Sequence, residues 1–193
     1  MRVQLLSDQE LVKTYVNGEE RALGELLRRH KSKIYTSIVL FVHNDALAED
    51  IFQDTFVKII ESLKRGKYYE DGKFLPWAMR IARNLCIDHY RKNKRTPTIA
   101  NPTDEYDIFN LIPFSGDNGE EALIKEQGRK RVRELIDMLP NEQREVVVLR
   151  HYADLSFKEI AEMTNVSINT ALGRMRYALI NMRKFVEERK VIF

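Results

Sequence analysis

The stretch LSFKEIAEMTNVSINTALGRMRYALINMRK, residues 155–184, decides the fold of this chain. It reads as a helix-turn-helix that runs on into a long basic helix. Ser156 and Glu159 have the S-x-x-E spacing of a capping box, in which two side chains satisfy the open N–H groups at a helix start. Ala161 supplies a small side chain where two helices can cross closely. The turn is Thr164-Asn165-Val166, and asparagine is one of the few non-glycine residues that tolerates left-handed backbone. Ser167 then caps the next helix. On that helix Ile168, Ala171, Leu172, Met175, Leu179 and Met182 recur at helical spacing and are expected to face inward. Thr170, Gly173, Arg174 and Tyr177 fall on the opposite face, with Asn169 and Arg176 beside them. Such a face offers hydrogen bonds to base edges and charge to phosphates. A glycine inside a helix costs about 1 kcal/mol relative to alanine. Gly173 makes sense where the backbone must come close to another surface, and a DNA groove is such a surface. The competing reading is a helical hairpin with a solvated basic face; the turn chemistry and Gly173 favour DNA.

Outside this stretch the chain is ordinary in bulk and uneven in detail. Its 193 residues suffice for one medium domain or two small ones, and 44% hydrophobic residues can build a core. A charged fraction of 32% points to a soluble protein. The single Cys86 excludes an internal disulfide and fits a reducing compartment. Residues 1–10 are polar, with a helix cap at Ser7 and Glu10 in place of the apolar core of a secretory leader. The longest apolar run, 34–42, is too short to span a membrane, so the expected location is the cytoplasm. Net charge is only +3, but residues 73–95 carry seven cations against one carboxylate, and residues 96–126 carry seven carboxylates against one lysine. A basic helix followed by an acidic stretch suggests two modules and a linker.

Helical periodicity covers most of the chain. Residues 19–42 place Leu23, Leu26, Leu27, His30, Ile34, Ile38 and Phe41 on one stripe. Asn44-Asp45 breaks that helix, and Asp45 is the expected cap of the next, 46–64, which buries Leu47, Ile51, Phe52, Phe56, Ile59 and Leu63 and stops at Gly66. KYYEDGK, 67–73, is a loop, and Pro76 sits in the first turn of a helix to about residue 95 whose inner positions are Ala78, Ile81, Ala82 and Leu85. Residues 96–119 hold three prolines and two glycines, lack helical period and read as a linker. Helices resume at 120–139, on Leu123, Val132, Leu135, Ile136 and Leu139, and at 141–152, separated by Pro140. No segment alternates with strand period over a useful length. The fold class is all-α: a bundle of about four helices over 1–95, an irregular linker over 96–119, and a second four-helix module over 120–193.

A second constellation lies on the helix after Pro76. Trp77, Arg80, Asn84, Asp88 and Arg91 share a stripe at i, i+3, i+7, i+11 and i+14, and the loop before them adds Lys67, Tyr68 and Tyr69. Aromatic rings among cations suit a single nucleic-acid strand, since cations follow phosphates while each ring that stacks a base contributes about 1–3 kcal/mol. The alternative is that Trp77 belongs to the core and the cations only solubilise. Other chemistries lack their parts. His30, His43, His89 and His151 have no partner at metal spacing, and there is no glycine-rich phosphate loop or nucleophile elbow. No cofactor and no small-molecule substrate is expected. Asp50 and Asp54 share a face, and with Glu49, Gln53 and Lys58 they read better as a polar docking surface than as a metal site.

Taken together, these blocks resemble bacterial alternative sigma factors of the extracytoplasmic-function (ECF) subfamily, over about residues 8–189. ALAEDIFQDTFVKII, 46–60, is similar to the part of sigma region 2 that holds the clamp helices of the largest RNA polymerase subunit. FLPWAMRIARNLCIDHYRKNKR, 74–95, is similar to the F-x-x-W-x-x-x-I-A-x-N-x-x-x-D-x-x-R pattern of the segment that melts and reads the −10 element. Residues 139–178 resemble region 4. The chain departs from the commoner V-K-S-R or V-R-S-R pattern at Ala171-Leu172-Gly173-Arg174, which puts its promoter sequence in doubt and not its mode of binding. The resemblance implies a non-enzyme that lends promoter specificity to core RNA polymerase. It implies that Ser167, Asn169, Thr170, Gly173, Arg174, Arg176 and Tyr177 meet −35 duplex, with Leu172 against a thymine methyl if it is exposed. It implies that Lys67, Tyr68, Tyr69, Phe74, Trp77, Arg80, Asn84, Asp88 and Arg91 handle the opened −10 element. Asp50, Gln53, Asp54 and Lys58 dock on the clamp helices, the flap of the second-largest subunit is a further contact, and an anti-sigma factor is a further partner. The readings set against this are a duplex-only helix-turn-helix regulator, a magnesium nuclease using Asp50 and Asp54, and a protein-binding bundle.

Overall fold

The computed structural model describes residues 3–68, 73–95 and 119–189, with backbone alone for 93–95, 119–126 and 189. The described residues form eight α-helices and one 3-10 turn, without a strand. The chain divides into two compact units, Met1–Thr103 and Asp104–Phe193.

The first unit holds a 3-10 turn Val3–Leu5, α1 Asp8–Val16, α2 Glu20–Val42, α3 Asp45–Lys64 and α4 Phe74–Arg95. Ser7 and Glu10 start α1 as a reciprocal capping box, with Glu10 N–H on Ser7 Oγ at 3.3 Å and Ser7 N–H on Glu10 Oε2 at 2.7 Å. His43 ends α2 in left-handed backbone. The cap of α3 is Asn44, not Asp45 as the sequence suggested. The extended backbone of Asn44 sets its Oδ1 2.8 Å from the Leu47 N–H, while Asp45 is already the first helical residue. Gly66, at φ 64°, follows the C-terminal cap of α3. The core is built from Leu11, Leu26, Ile34, Ile38, Ile59, Leu63, Ala78, Met79 and Ala82, all 1% exposed or less. Each fully buried Leu or Ile contributes about 1.5–3 kcal/mol. Tyr35, Phe52 and Phe56 stack edge-on between α2 and α3. Tyr90 of α4 donates to the Phe41 carbonyl near the end of α2 at 2.7 Å.

A charged cluster joins α1 to α2. Glu25, buried to 7% exposure, accepts from Arg28 through both carboxylate oxygens and from Arg29, each at 2.8 Å. Arg29 also reaches Asp8 at 3.1 Å and the Gln4 carbonyl at 2.9 Å, and His30 Nε2 lies 2.6 Å from the other Asp8 oxygen. The hydrogen bonds from Arg28 and then Arg29 hold the Glu25 carboxyl down at about 2, against an ordinary 4.5.

The second unit holds α5 Gly119–Asp137, α6 Asn141–His151, α7 Phe157–Thr164 and α8 Ile168–Arg189. Arg144 of α6 donates to three carbonyls at the end of α5, those of Ile136, Asp137 and Leu139, between 2.6 and 3.3 Å. A cation there satisfies open acceptors and complements the helix dipole. Arg150 donates to the Leu155 carbonyl at 2.9 Å and lies over the Phe157 ring, which fixes the entry into α7. Ser156 and Glu159 form the capping box of α7, Asn165 adopts φ 55° and ψ 46°, and the Ser167 hydroxyl accepts from Thr170 N–H at 3.0 Å at the start of α8. Val146–Leu149 of α6, Ile160 and Ala161 of α7, and Ala171 and Ala178 of α8 close the core.

Acid should expose the Glu25 cluster. A carboxyl whose folded pKa is depressed contributes stability above its ordinary value and loses it as pH falls. The urea midpoint of the wild type should therefore drop as pH falls from about 4.5 towards 2. Glu25→Gln should start lower and show a shallower drop over that window. Parallel midpoints for the two proteins would remove Glu25 from the account of acid stability.

Candidate DNA and polymerase interfaces

The inner stripe of α8 differs from the one that periodicity alone suggests. Ala171 and Ala178 are fully buried, with Met175, Met182 and Phe185 half-buried along the same side. Ile168, Leu172 and Leu179, expected inside, are 46%, 43% and 42% exposed. Successive helical residues are about 100° apart, so Leu172 and Leu179 each lie well round from the alanine beside them. The alanines win the inner face because α8 packs on both α6 and α7, where a small side chain permits close approach. The face opposite them centres on Gly173. Leu172, Arg176 and Asn169 lie to one side of it, Thr170, Tyr177 and Arg174 to the other. Asn169, Thr170, Arg176 and Tyr177 are exposed, and Gly173 and Arg174 half-buried. Ser167 is exposed and committed to the helix cap, its hydroxyl 2.8 Å from that of Thr170. Apart from the adjoining residues and the backbone of α8 itself, no atom lies within 4 Å of where a Gly173 Cβ would be, so packing inside this unit does not require glycine there.

On α4 the aromatic residues turn inward. Phe74 is 1% and Trp77 9% exposed, so neither ring stands free as a stacking platform, and Trp77 follows the core alternative that the sequence leaves open. The Tyr68 ring meets Trp77 edge-on at 4.9 Å and Phe74 at 6.4 Å, and Phe74 packs on Trp77 at 5.8 Å and on His30 at 5.3 Å. His30 in turn is held by Asp8. The physical reason is area: a large ring removes more surface from water by joining three other rings than by standing in solvent. The cluster ties Tyr68, after α3, to the first turn of α4. Lys67 and Lys73 are exposed on that loop, Tyr68 is half-buried, and Tyr69 lies outside the described residues. Farther along α4, Asn84, Asp88 and Arg91 are exposed and Arg80 is half-buried; Arg91 approaches Asp88 at 3.9 Å.

The outer face of α3 exposes Asp50, Gln53, Asp54 and Lys58, with Gln53 donating to Glu49 at 3.2 Å. It also exposes Val57, at 54%. Val57 stands three residues after Asp54 and four after Gln53, so an apolar side chain sits amid this polar surface. Sequence reading passed over it; its misfit with the buried stripe of α3 was the available signal.

Comparison with known proteins gives these surfaces a family. Residues 26–96 match the family model Sigma-70 region 2, and residues 129–176 match Sigma-70, region 4. The RNA polymerase sigma-H factor of Pseudomonas aeruginosa is 30% identical over 175 residues, covering 87% of this chain and 88% of that one. The ECF RNA polymerase sigma factor SigW of Bacillus subtilis is 28% identical over 176 residues, covering 90% and 93%. The chain belongs to the ECF subfamily of sigma-70 factors. The solved structure of CnrH in complex with the cytosolic domain of CnrY shares its fold, with a TM-score of 0.67 at 23% identity over 94% of this chain and 97% of that one. This sigma factor is a transcription initiation factor and not an enzyme, acting with RNA polymerase and promoter DNA. Among its described residues, no helix is long and apolar enough to cross a membrane.

The inner side of α4 carries its own prediction. Cys86 is 3% exposed, and burial pushes its thiol up to about 12. Thiolate is the reactive form. The native sigma factor at pH 8 should therefore leave Cys86 unlabelled by an aromatic disulfide reagent, and one equivalent should react in denaturant. Prompt labelling of the native protein would contradict this packing.

Proposed function

We propose that this sigma factor reads its promoter in two parts, −35 duplex through α8 and opened −10 DNA through α4 and the loop before it. The observation that carries the first part is the exposed face of α8 centred on Gly173. A mid-helix glycine weakens the helix, nothing within its unit requires it, and a recognition helix that must lie deep in a major groove does. Asn169, Thr170 and Arg174 reach base edges, Arg176 and Tyr177 reach phosphate and sugar, and the cap at Ser167 presents the start of the helix to the groove.

In region 2 the division of labour follows the burial. The exposed Lys67 and Lys73 attract the backbone of the displaced strand, with Arg80, Asn84 and Arg91 along α4 and Asp88 setting the geometry of Arg91. Tyr68, Phe74 and Trp77 hold the loop in shape, so that an unpaired base enters a preformed site; Tyr69 is proposed to meet that base. Asp50, Gln53, Asp54 and Lys58 dock on the clamp helices of the largest polymerase subunit, with Val57 as the apolar centre of a polar rim. The flap of the second-largest subunit receives region 4. The site of action is the cytoplasm, and the regulator is an anti-sigma factor, the class of partner bound to a fold neighbour, the sigma factor RpoE of Bartonella quintana, in its solved complex with the anti-sigma factor NepR.

Two experiments on the full chain with purified core polymerase test this. Arg174→Ala should lower transcription from −35-dependent promoters by about tenfold or more, the size of one lost base contact, while co-purification with polymerase is unchanged. Loss of both activities, or of neither, sinks the role given to Arg174. Asp50→Arg combined with Asp54→Arg should weaken association with core polymerase. Undiminished co-purification would remove the α3 face from the docking surface.

A further inference from the structure

Ile168 and Leu172 lie one turn apart at the start of α8, 46% and 43% exposed. Helix positions i and i+4 are neighbours, with Cβ atoms about 5–6 Å apart, so the two side chains make one apolar patch. It begins directly after the Ser167 cap, at the end of a recognition helix that reaches base edges. The exposed Asn169 and Arg176 border it with hydrogen-bonding capacity and positive charge. Gly173, beside Leu172, leaves the helix surface low, so the patch can descend into a groove instead of being held off it.

A major groove presents one apolar group among its donors and acceptors, the C5-methyl of thymine. A basic residue at position 172 would instead ask for guanine, through its O6 and N7. We propose that Ile168 and Leu172 read thymine methyl groups in the −35 element and so set this sigma factor's sequence preference there. The inference rests on the placement of α8 in the −35 groove and adds to it the chemistry by which one or two base pairs are chosen. Arg176 anchors the same edge of the helix to phosphate, and Asn169 serves the adjoining pair. A protein helix seated on the same patch is the competing occupant, and it predicts indifference to the methyl group.

The probe is a promoter duplex selected by the full chain with core polymerase from a pool randomised across the −35 region. That duplex is then remade with deoxyuridine in place of thymidine, one position at a time, which removes the methyl group and nothing else. Thymine should be selected at one or two positions, and deoxyuridine there should weaken binding by about fourfold, the worth of one buried methyl group. Leu172→Ala and Ile168→Ala should each bind the thymidine duplex more weakly and lose sensitivity to deoxyuridine at one position while remaining folded at the assay temperature, checked by helical circular dichroism. Leu172→Lys should shift selection at its position from thymine to guanine. A wild type that still selects a −35 sequence but binds thymidine and deoxyuridine duplexes equally at every position overturns the methyl reading and leaves α8 in the groove. A wild type that selects nothing at −35 overturns the placement itself, and this inference with it.

Discussion

The left-handed backbone at Asn165 is the constraint on which region 4 depends. It stops α7 after eight residues and lets the Val166 N–H close back on the Ala161 carbonyl at 3.0 Å. A helix of that length is not stable by itself; it persists because its capping box, this turn and the cover of Ile160, Ala161 and Met163 act together. The turn sets the direction in which α8 leaves. Once that direction is set and Ala171 and Ala178 are seated, the remaining sides of α8 have no choice but to face outward. The outward surface of α8 is thus a by-product of how two alanines pack.

That dependence explains what could and could not be read in the sequence. Caps and turns are local chemistry, and Ser7, Ser156, Asn165, Ser167 and Gly66 stand where side-chain chemistry alone puts them. The exception at α3, Asn44 for Asp45, is a choice between adjacent residues of similar capping power. The inner face of α8 was not legible in the same way. Two apolar stripes share Met175 and Met182: one runs through Ala171 and Ala178, the other through Leu172 and Leu179. Periodicity groups Ala171 with Ile168, Leu172 and Leu179 and passes over Ala178, because it counts hydrophobicity and not distance between helix axes. Burial is decided by the neighbours α6 and α7, which demand small residues, and that demand is tertiary. Val57 on α3 escaped notice for the related reason that a lone apolar residue outside the stripe looks like noise.

The aromatic residues of α4 show the same limit from the other side. A ring within a run of cations fits a nucleic-acid surface and a core equally well by spacing. The partners that settle it come from elsewhere: Tyr68 from the preceding loop, and His30 from α2, itself oriented by Asp8 of α1. A chain of contacts therefore runs from Asp8 through His30 and Phe74 to Trp77 and Tyr68. On the proposed reading, in which this loop receives an unpaired base, rings packed on rings would hold its flanks without polar groups that would themselves need partners.

Three features then look alike in kind. Val57 on α3, and Ile168 and Leu172 on α8, are exposed apolar side chains among charges, and Gly173 is an unneeded weakness in a helix. None belongs to the buried core of its own unit, and polar or charged residues stand beside each. Contacts with an apolar centre and a polar rim bind because the centre is dried while the rim sets register. A transcription initiation factor acts through polymerase and promoter DNA in turn, so not every contact can be strong. On the proposed reading, small apolar patches, each a residue or two wide and ringed by charge, would be selective enough to choose a partner and weak enough to release it.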